Sequence, residues 1–125
     1  MPRNISFALT TQQFRDRTKT VTRRLRWLKL KPGEVLCGCV KCMGLKPGES
    51  IERMGLIRVT SVRREPLSAM SKTCYGDQEA ILEGFPHLTG HGFVTMFSEN
   101  MRCSVGEIVT RIEYEYLDSV EGAAP

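Results

Sequence analysis

The stretch Val105-Gly-Glu-Ile-Val-Thr-Arg-Ile-Glu-Tyr-Glu-Tyr-Leu117 alternates polar and apolar side chains over most of its length. This period of two is typical of a β-strand with one buried face, so the stretch predicts a long strand. Gly55–Arg64 alternates in the same way and predicts a second long strand, preceded by a bulge or bend at Met54-Gly55. Shorter strands are predicted at Asn4–Leu9 and Glu34–Lys41. The fold is therefore organised around a sheet.

Short helices are predicted between the strands. Gln12–Arg17 follows two threonines suited to helix capping, and Phe14 is its expected buried anchor. A second helix is predicted over Tyr75–Glu83, where Gly84 provides a natural stop. A third helix is predicted to begin at Thr89, because the apolar residues after it recur at helical spacing. About five to six strands with two or three short helices predict an α+β fold built on a small curved sheet or barrel.

The length of 125 residues predicts one domain, over residues 1–120, with a disordered tail at 121–125. No apolar run approaches the roughly 18 residues of a membrane span, and the first residues lack the apolar core of a secretory signal. A soluble, cytoplasmic protein without a membrane partner is therefore expected. The sequence also lacks βαβ regularity, a glycine-rich phosphate loop and a G-x-S-x-G motif, which argues against the enzyme classes built on them.

The positive charge is concentrated at the start of the chain. Residues 1–31 hold nine basic residues against one acidic residue, a net charge of +8. Residues 32–125 hold nine basic and 13 acidic residues, a net charge of −4. This distribution predicts a polyanionic partner, with nucleic acid first. The alternative is a solvated basic surface that keeps the protein soluble.

The five cysteines are an odd number for a disulfide framework, and reduced thiols are expected. Three of them crowd the stretch Cys37-Gly-Cys39-Val-Lys-Cys42. A structural zinc site needs four ligands, usually as two close pairs, and no second pair follows. Cys74, Cys103, His87 or His91 could complete a site, but no spacing requires it. Small buried thiols are the favoured interpretation, and neither a metal nor another cofactor is expected.

The stretch Lys19-Thr20-Val21-Thr22-Arg23-Arg24 carries the most distinctive polar chemistry. The surrounding segment, Thr18–Leu25, is predicted to be extended chain or loop. In a bent loop Lys19, Thr22 and Arg24 would converge, and their ammonium, hydroxyl and guanidinium groups would suit a phosphate or a carbonyl-bearing base. The alternative is a polar edge strand whose charges oppose aggregation.

Several motifs follow one another in a distinctive order: Lys19–Arg24, Trp27, Lys31–Glu34, Lys41–Leu45, Ile57–Leu67 and Glu83–Pro86. Together they resemble the ASCH domain family of the PUA-like superfamily, especially its small stand-alone members from phages and bacteria. The resemblance extends from about Ile5 to Leu117. It implies a compact PUA-like β-barrel, with helices beside the barrel opening and a ligand cleft between them.

The signature of that family is Gly-x-Lys-x-x-Glu-x-Arg. Lys19 and Arg24 occupy its lysine and arginine places. Thr22 stands in the glutamate place and Arg17 in the glycine place. Threonine in place of glutamate resembles the bacterial acetylcytidine amidohydrolases of this family, so an amidohydrolase is one function that the resemblance implies.

In those amidohydrolases the catalytic set is a lysine, a threonine and a later glutamate. The resemblance implies Lys19, Thr22 and Glu83 here, with Glu79 as the alternative if the alignment shifts by one helical turn. Thr22 would act as the nucleophile and Lys19 as its base, once a desolvated cleft lowers the pKa of the amine. Glu83 would orient Lys19 or carry a proton to the leaving amine. The same groups equally suit a pocket that binds a modified base and leaves it unchanged.

Ligand binding is also predicted for the basic residues of this segment and for the single tryptophan: Arg17, Arg23, Arg24, Arg26 and Trp27. The tryptophan either stacks on a base beside the arginines or packs in the core. The four arginines are expected to form, together with Lys19, one continuous positive face around the barrel mouth. Such a face would bind nucleic acid with a steep dependence on salt.

Three functions are compatible with these features. The first is a domain that recognises nucleic acid, with RNA favoured, or a modified nucleotide, in a cleft formed by Lys19–Trp27 and Glu83. The second is an amidohydrolase that deacetylates acetylcytidine nucleosides. The third, also prompted by the family, is a metal-assisted ribonuclease, ranked last because the sequence has no obvious cluster of acids or histidines to hold a catalytic metal.

Overall fold

A computed structural model describes residues 2–117, so the predicted tail at 121–125 lies outside the described residues. The strands are β1 (Arg3–Ser6), β2 (Val21–Arg24), β3 (Val35–Cys39), β4 (Arg53–Pro66) and β5 (Ile108–Tyr116). The helices are α1 (Thr11–Arg15), α2 (Thr73–Leu82) and α3 (Gly90–Met101), with short 3₁₀ helices at Ala8–Thr10 and Leu67–Ser71. None of the helices in this part of the chain is long and apolar enough to span a bilayer.

The strands form one mixed sheet in the order β1-β3-β4-β5-β2. β1 runs parallel to β3, and all other neighbours are antiparallel. The pairing register shifts at Met54 and again at Thr60, each an extra residue in β4 that increases the local twist. The sheet curls into half a barrel. The predicted α+β fold with a small curved sheet is therefore confirmed, as is the bulge at Met54-Gly55.

Two apolar cores lie against this sheet. The first is covered by α1 and contains Ile5, Phe7, Phe14, Leu30, Leu36, Ile57, Val59, Ile112 and Tyr114. The second lies where α2 and α3 meet the start of β5 and contains Leu67, Met70, Ala80, Phe93, Val94, Phe97 and Val109. Phe14 is the predicted anchor of α1, and a Cβ atom at Gly38 would come within 2.3 Å of its ring. Glycine at this point of β3 therefore lets α1 lie directly on the sheet.

The N-terminal third differs from the sequence prediction in three details. The strand predicted at Asn4–Leu9 ends at Ser6, because a 3₁₀ helix begins at Ala8. Thr10, the residue before α1, forms no side-chain cap, and the hydroxyl of Thr11, the first residue of α1, donates to the carbonyl oxygen of Phe7 at 2.9 Å. Residues 21–24, predicted as extended chain or loop, form the edge strand β2, which pairs with β5.

Candidate ligand-binding cleft

A cleft of about 240 Å³ opens between β2, the segment after β1, the end of α2, and α3. The residues that line it are Ser6, Phe7, Ala8, Leu9, Thr10, Lys19, Thr22, Arg23, Arg24, Glu83, Phe85, Phe93, Met96, Phe97, Asn100 and Met101. Its polar groups come from β2 and from the residues before it and after α2. Its apolar groups come mostly from α3 and the segment after β1. The cleft thus has a polar floor and an apolar wall.

The apolar wall consists of Phe85 and the α3 residues Phe93, Met96 and Phe97. The sequence pattern predicts these α3 side chains as helix packing, and two of them, Phe93 and Phe97, are indeed buried in the second core. They also line the cleft, so the same face of α3 packs in the second core and forms part of the cleft wall. Leu9 is 59% exposed at the cleft and gives it an apolar edge.

Lys19 and Glu83 form a buried ion pair on the floor, each 2% exposed. The Lys19 ammonium donates to a Glu83 carboxylate oxygen and to the Glu83 backbone carbonyl, both at 2.8 Å. Gly84 makes this geometry accessible, because its φ of +97° turns the chain away directly after α2. Burial lowers the pKa of Lys19, and the attraction of Glu83 only partly offsets this effect. The amine is therefore easier to deprotonate than an ordinary lysine.

Thr22 and Arg24 project from the same face of β2, because alternate residues of a strand share a face. Arg24 donates through Nε to the Thr22 hydroxyl at 2.9 Å and through Nη2 to the Ser6 carbonyl at 2.6 Å. Its guanidinium lies 5.0 Å from the centre of the Phe7 ring. Burial lowers the pKa of Arg24, and Glu83 offsets only part of that effect. Thr22 accepts this hydrogen bond and keeps its own proton available to donate.

Arg23 points away from Thr22 and Arg24 and is surrounded by glutamates. It donates to Glu83 at 3.0 Å, to Glu65 at 2.9 Å and to Glu79 at 2.5 Å. Burial alone would lower the pKa of Arg23, but the three carboxylates more than compensate and raise it. Glu83 therefore binds Lys19 with one carboxylate oxygen and Arg23 with the other.

A second arginine completes this arrangement. Arg111 of β5 donates to both carboxylate oxygens of Glu79, at 2.6 and 3.1 Å, and the Tyr75 hydroxyl donates to Glu65 at 2.7 Å. Burial alone would raise the pKa of Glu79, but hydrogen bonds from Arg111 and Arg23 hold it below its ordinary value. We refer to these residues as the ion cluster: Arg23, Glu65, Tyr75, Glu79 and Arg111.

The structure thus brings five of the predicted site residues to one cleft: Lys19, Thr22, Arg23, Arg24 and Glu83. Glu79, the alternative to Glu83, lies in the ion cluster behind it. Among residues 2–117, the Thr22 hydroxyl bonds to Arg24, and no hydrogen bond joins it to Lys19 or Glu83. The three residues of the predicted catalytic set are neighbours, but they do not form a preassembled relay.

The other predicted ligand-binding residues lie away from the cleft. Arg17 is exposed beside a second cavity, with its guanidinium 5.4 Å from the Tyr116 ring. Arg26 is exposed, and Trp27 packs partly buried against the first core, with the Arg3 guanidinium 3.9 Å from its ring.

The predicted continuous positive face is wrong. Lys19 and Arg23 are each only 2% exposed and are paired with glutamates, so they contribute little to the surface potential. The cause is the sheet topology, which places β2 near Glu65 at the end of β4, Glu79 in α2 and Glu83 directly after α2. The positive charge of the first 31 residues is therefore partly neutralised in the interior.

Sequence reasoning missed Arg111, Glu65 and Tyr75. A signal exists only in the pairing register, where Arg23 of β2, Arg111 of β5 and Arg63 of β4 lie side by side. Like charges directly opposite each other are destabilising, so such a row requires carboxylates nearby. This register cannot be read from one segment alone.

The cysteines are free thiols, and Cys37 and Cys39 are buried in β3. Burial raises the pKa of Cys39 to about 12, which keeps the thiol protonated at neutral pH. Within residues 2–117 no group of three or more histidine, cysteine, aspartate or glutamate side chains is placed to hold a metal ion.

No family model and no curated protein matches this chain. Its fold is similar to the crystal structure of protein EF3133 from Enterococcus faecalis V583, which is described by the family model DUF984. The TM-score is 0.62 at 17% sequence identity, over 94% of this chain and 81% of that one. At this identity the likeness concerns the fold alone.

Proposed function

We propose that the cleft recognises one base of a nucleotide, most suitably a modified base, and that the chain is an ASCH-type domain of the PUA-like superfamily. The volume of the cleft, about 240 Å³, is the observation that carries the proposal. It is smaller than the roughly 300–1,000 Å³ of pockets for drug-sized ligands, so a base or nucleoside is the scale that it fits.

The chemistry of the cleft suits such a ligand. An aromatic wall favours the flat face of a base, and stacking of this kind contributes about 1–3 kcal/mol per base. The floor offers N–H and O–H donors from Lys19, Thr22 and Arg24, which suit the oxygen acceptors that a nucleotide carries. In RNA, a single-stranded base can be turned outward into such a cleft. RNA is therefore the favoured source of the base.

The two signature residues support the family assignment. Lys19 and Arg24 match the ASCH signature and lie on the floor of one cleft. A small curled sheet with helices beside the opening is also compatible with a PUA-like barrel.

Calorimetric titration with cytidine, uridine, acetylcytidine and a short single-stranded RNA tests this proposal. We expect saturable one-to-one binding of at least one pyrimidine ligand, weakened at least tenfold by Thr22→Val because a donor is lost, about 1.4 kcal/mol or more. Thr60→Val changes an exposed threonine of β4 and serves as the matched control. Absence of binding to all four ligands would contradict the proposal.

Hydrolysis is the second candidate, favoured by the lowered pKa of the Lys19 amine beside Thr22. Thr22 Oγ1 would attack the acetyl carbon of acetylcytidine, and Lys19 would take the hydroxyl proton and pass it to the leaving amine. Water would then cleave the acetyl ester, releasing acetate and restoring Thr22. Because Lys19 and Thr22 share no hydrogen bond here, ligand binding must bring them together or bridge them.

Acetate release from acetylcytidine distinguishes the two candidates. If the protein is a hydrolase, Thr22→Ala abolishes release while Thr60→Ala retains it. Tight binding of acetylcytidine without acetate release would leave recognition as the function and exclude hydrolysis of this substrate.

A further inference from the structure

We propose that the cleft holds an anionic oxygen group of its ligand, a phosphate or a carboxylate, on Arg24 and Thr22. This inference rests on the proposed function, because it names the kind of ligand that the same cleft takes. It implies that a nucleotide or a carboxyl-bearing base binds better than the corresponding neutral nucleoside.

The pairing of charges around the floor is the first argument. Lys19, Arg23 and Arg111 each form an ion pair with a buried or nearly buried glutamate. Arg24 lines the same cleft as Lys19, yet among residues 2–117 no carboxylate lies within ion-pair distance of it. Arg24 is half-buried, and the attraction of Glu83 offsets only part of the effect of burial on its pKa, so an anion bonded directly to the guanidinium would stabilise its charge. A ligand is the partner that the cleft can admit.

The unused donors are the second argument. Arg24 uses Nε and Nη2, but its Nη1 group forms no hydrogen bond within the described residues. The Thr22 hydroxyl accepts from Arg24, so its proton is free to donate. The Lys19 ammonium uses two of its three protons. Three neighbouring groups therefore offer donors toward the cleft.

The third argument is that the acceptors beside Lys19 and Arg24 each already accept a hydrogen bond from the protein. One carboxylate oxygen of Glu83 binds Lys19 and the other binds Arg23, and the Ser6 carbonyl binds Arg24. The free N–H and O–H groups of this floor are complemented best by a ligand group that brings acceptors. Phosphate and carboxylate bring acceptors together with a negative charge that can pair with the Arg24 guanidinium. A guanidinium binds both groups through paired hydrogen bonds. The pKa of Arg24, lowered by burial, would rise when such an anion binds.

Side-chain NMR of arginine in the full chain tests the inference directly. Sodium phosphate and sodium acetate are titrated separately at constant ionic strength, with the Arg24 Nε–H resonance as the readout. We expect a saturable shift of that resonance with at least one of the two anions. Calorimetry with cytidine and cytidine 5′-monophosphate then distinguishes the sources. At least tenfold tighter binding of the monophosphate assigns a phosphate, whereas acetate binding without that gain assigns a carboxylate.

Variants provide the second readout. Arg24→Gln should weaken binding of the anion at least tenfold, because a hydrogen bond to a charged group is lost. Arg58→Gln removes an exposed arginine of β4 that pairs with Glu115, and should leave anion binding unchanged. If Arg24→Gln does not fold, Arg24→Lys keeps the charge but not the paired geometry, and the wild-type resonance remains decisive.

The outcomes separate this inference from the proposed function. If nucleosides bind and neither anion shifts the Arg24 resonance, recognition of a base stands and the anion site is overturned. Anion binding that is unchanged in Arg24→Gln also overturns it. If neither nucleosides nor anions bind, both proposals fail.

Discussion

The ion cluster and the cleft floor receive consecutive arginines of β2, yet the two arginines differ in whether carboxylates bind them. Arg23 enters the ion cluster, where three carboxylates bind it. Arg24, the next residue, enters the floor, where it meets a hydroxyl and a carbonyl but no carboxylate among residues 2–117. Strand alternation alone separates the two environments. Pairing of a buried cation with several carboxylates is typical of a structural element, even though Arg23 Nε has no partner among residues 2–117. A cation on a cleft without a bonded carboxylate is typical of a binding site.

Glu83 connects the two regions, because it contacts Arg23 in one and Lys19 in the other. The ion cluster therefore fixes the carboxylate that orients Lys19. Substitutions in the ion cluster should lower stability more than ligand affinity. Substitutions on the floor should lower ligand affinity more than stability.

Glu79→Gln should give the largest effect on stability. It removes the carboxylate shared by Arg23 and Arg111, and breaking a buried ion pair in this way costs about 3–5 kcal/mol. Urea unfolding measures the loss. Glu115→Gln, which alters an exposed ion pair with Arg58, is the control and should change stability by about 0.5 kcal/mol or less. Equal effects of the two variants would show that the cluster is not structural.

Acid should weaken the ion cluster in the intact protein. The folded-state pKa of Glu79 and of Glu65 lies below the ordinary value of 4.5. The stability that they contribute is therefore present above about pH 4.5 and is lost as the pH falls through the lower folded-state pKa. Unfolding measured from pH 6 to pH 3 should show this decline, with a shallower slope in Glu79→Gln. Parallel slopes would contradict the assignment.

Lys19→Met should damage the cleft more than the fold. The variant leaves Glu83 paired with Arg23, so the loss of stability should be smaller than for Glu79→Gln. Ligand affinity should fall at least tenfold, about 1.4 kcal/mol, because a charged donor disappears from the floor. Calorimetry measures the ligand affinity and urea unfolding measures the free energy of unfolding. Lys72→Met on the surface is the control for both. A loss of stability without a loss of affinity would show that Lys19 is a structural residue and not part of the binding site.

Among the variants of the ion cluster and the floor, Arg24→Met should have the smallest effect on stability. The guanidinium has no carboxylate partner in the described part of the chain, so its removal should change the free energy of unfolding by about 1 kcal/mol or less, in either direction. The same variant should lose affinity for the ligand. Destabilisation as large as that of Glu79→Gln would place Arg24 with the structural arginines.

Local patterns were enough to predict most of the fold. The alternation in Gly55–Arg64 and Val105–Leu117 identified the two longest strands, and helical spacing together with Gly84 and Thr89 located α2 and α3. These features depend on residues within a few positions of one another. Strand β2 was harder to predict, because a segment of threonines and arginines has no apolar alternation.

The environment of each basic residue could not be predicted in this way. Whether Arg23 is buried depends on Glu65, Glu79 and Glu83, which are 42, 56 and 60 residues away. Arg23 and Arg24 are the same residue type with the same charge, and only the tertiary structure shows that their environments differ. Glu83 itself was identified through family resemblance, and no local pattern selects it over Glu79.

The position of β2 in the sheet has a consequence for folding. This early strand pairs only with β5, close to the far end of the described chain, with Val21 opposite Glu113. Such a contact closes a very long loop, and contacts of high sequence separation form slowly. During synthesis β2 must wait, unpaired, until nearly all of the domain has emerged. We therefore expect the cleft to be among the last parts of the molecule to assemble. A chain interrupted before β5 would contain the residues of the apolar wall and of the floor, but β2 would lack the strand that positions the floor.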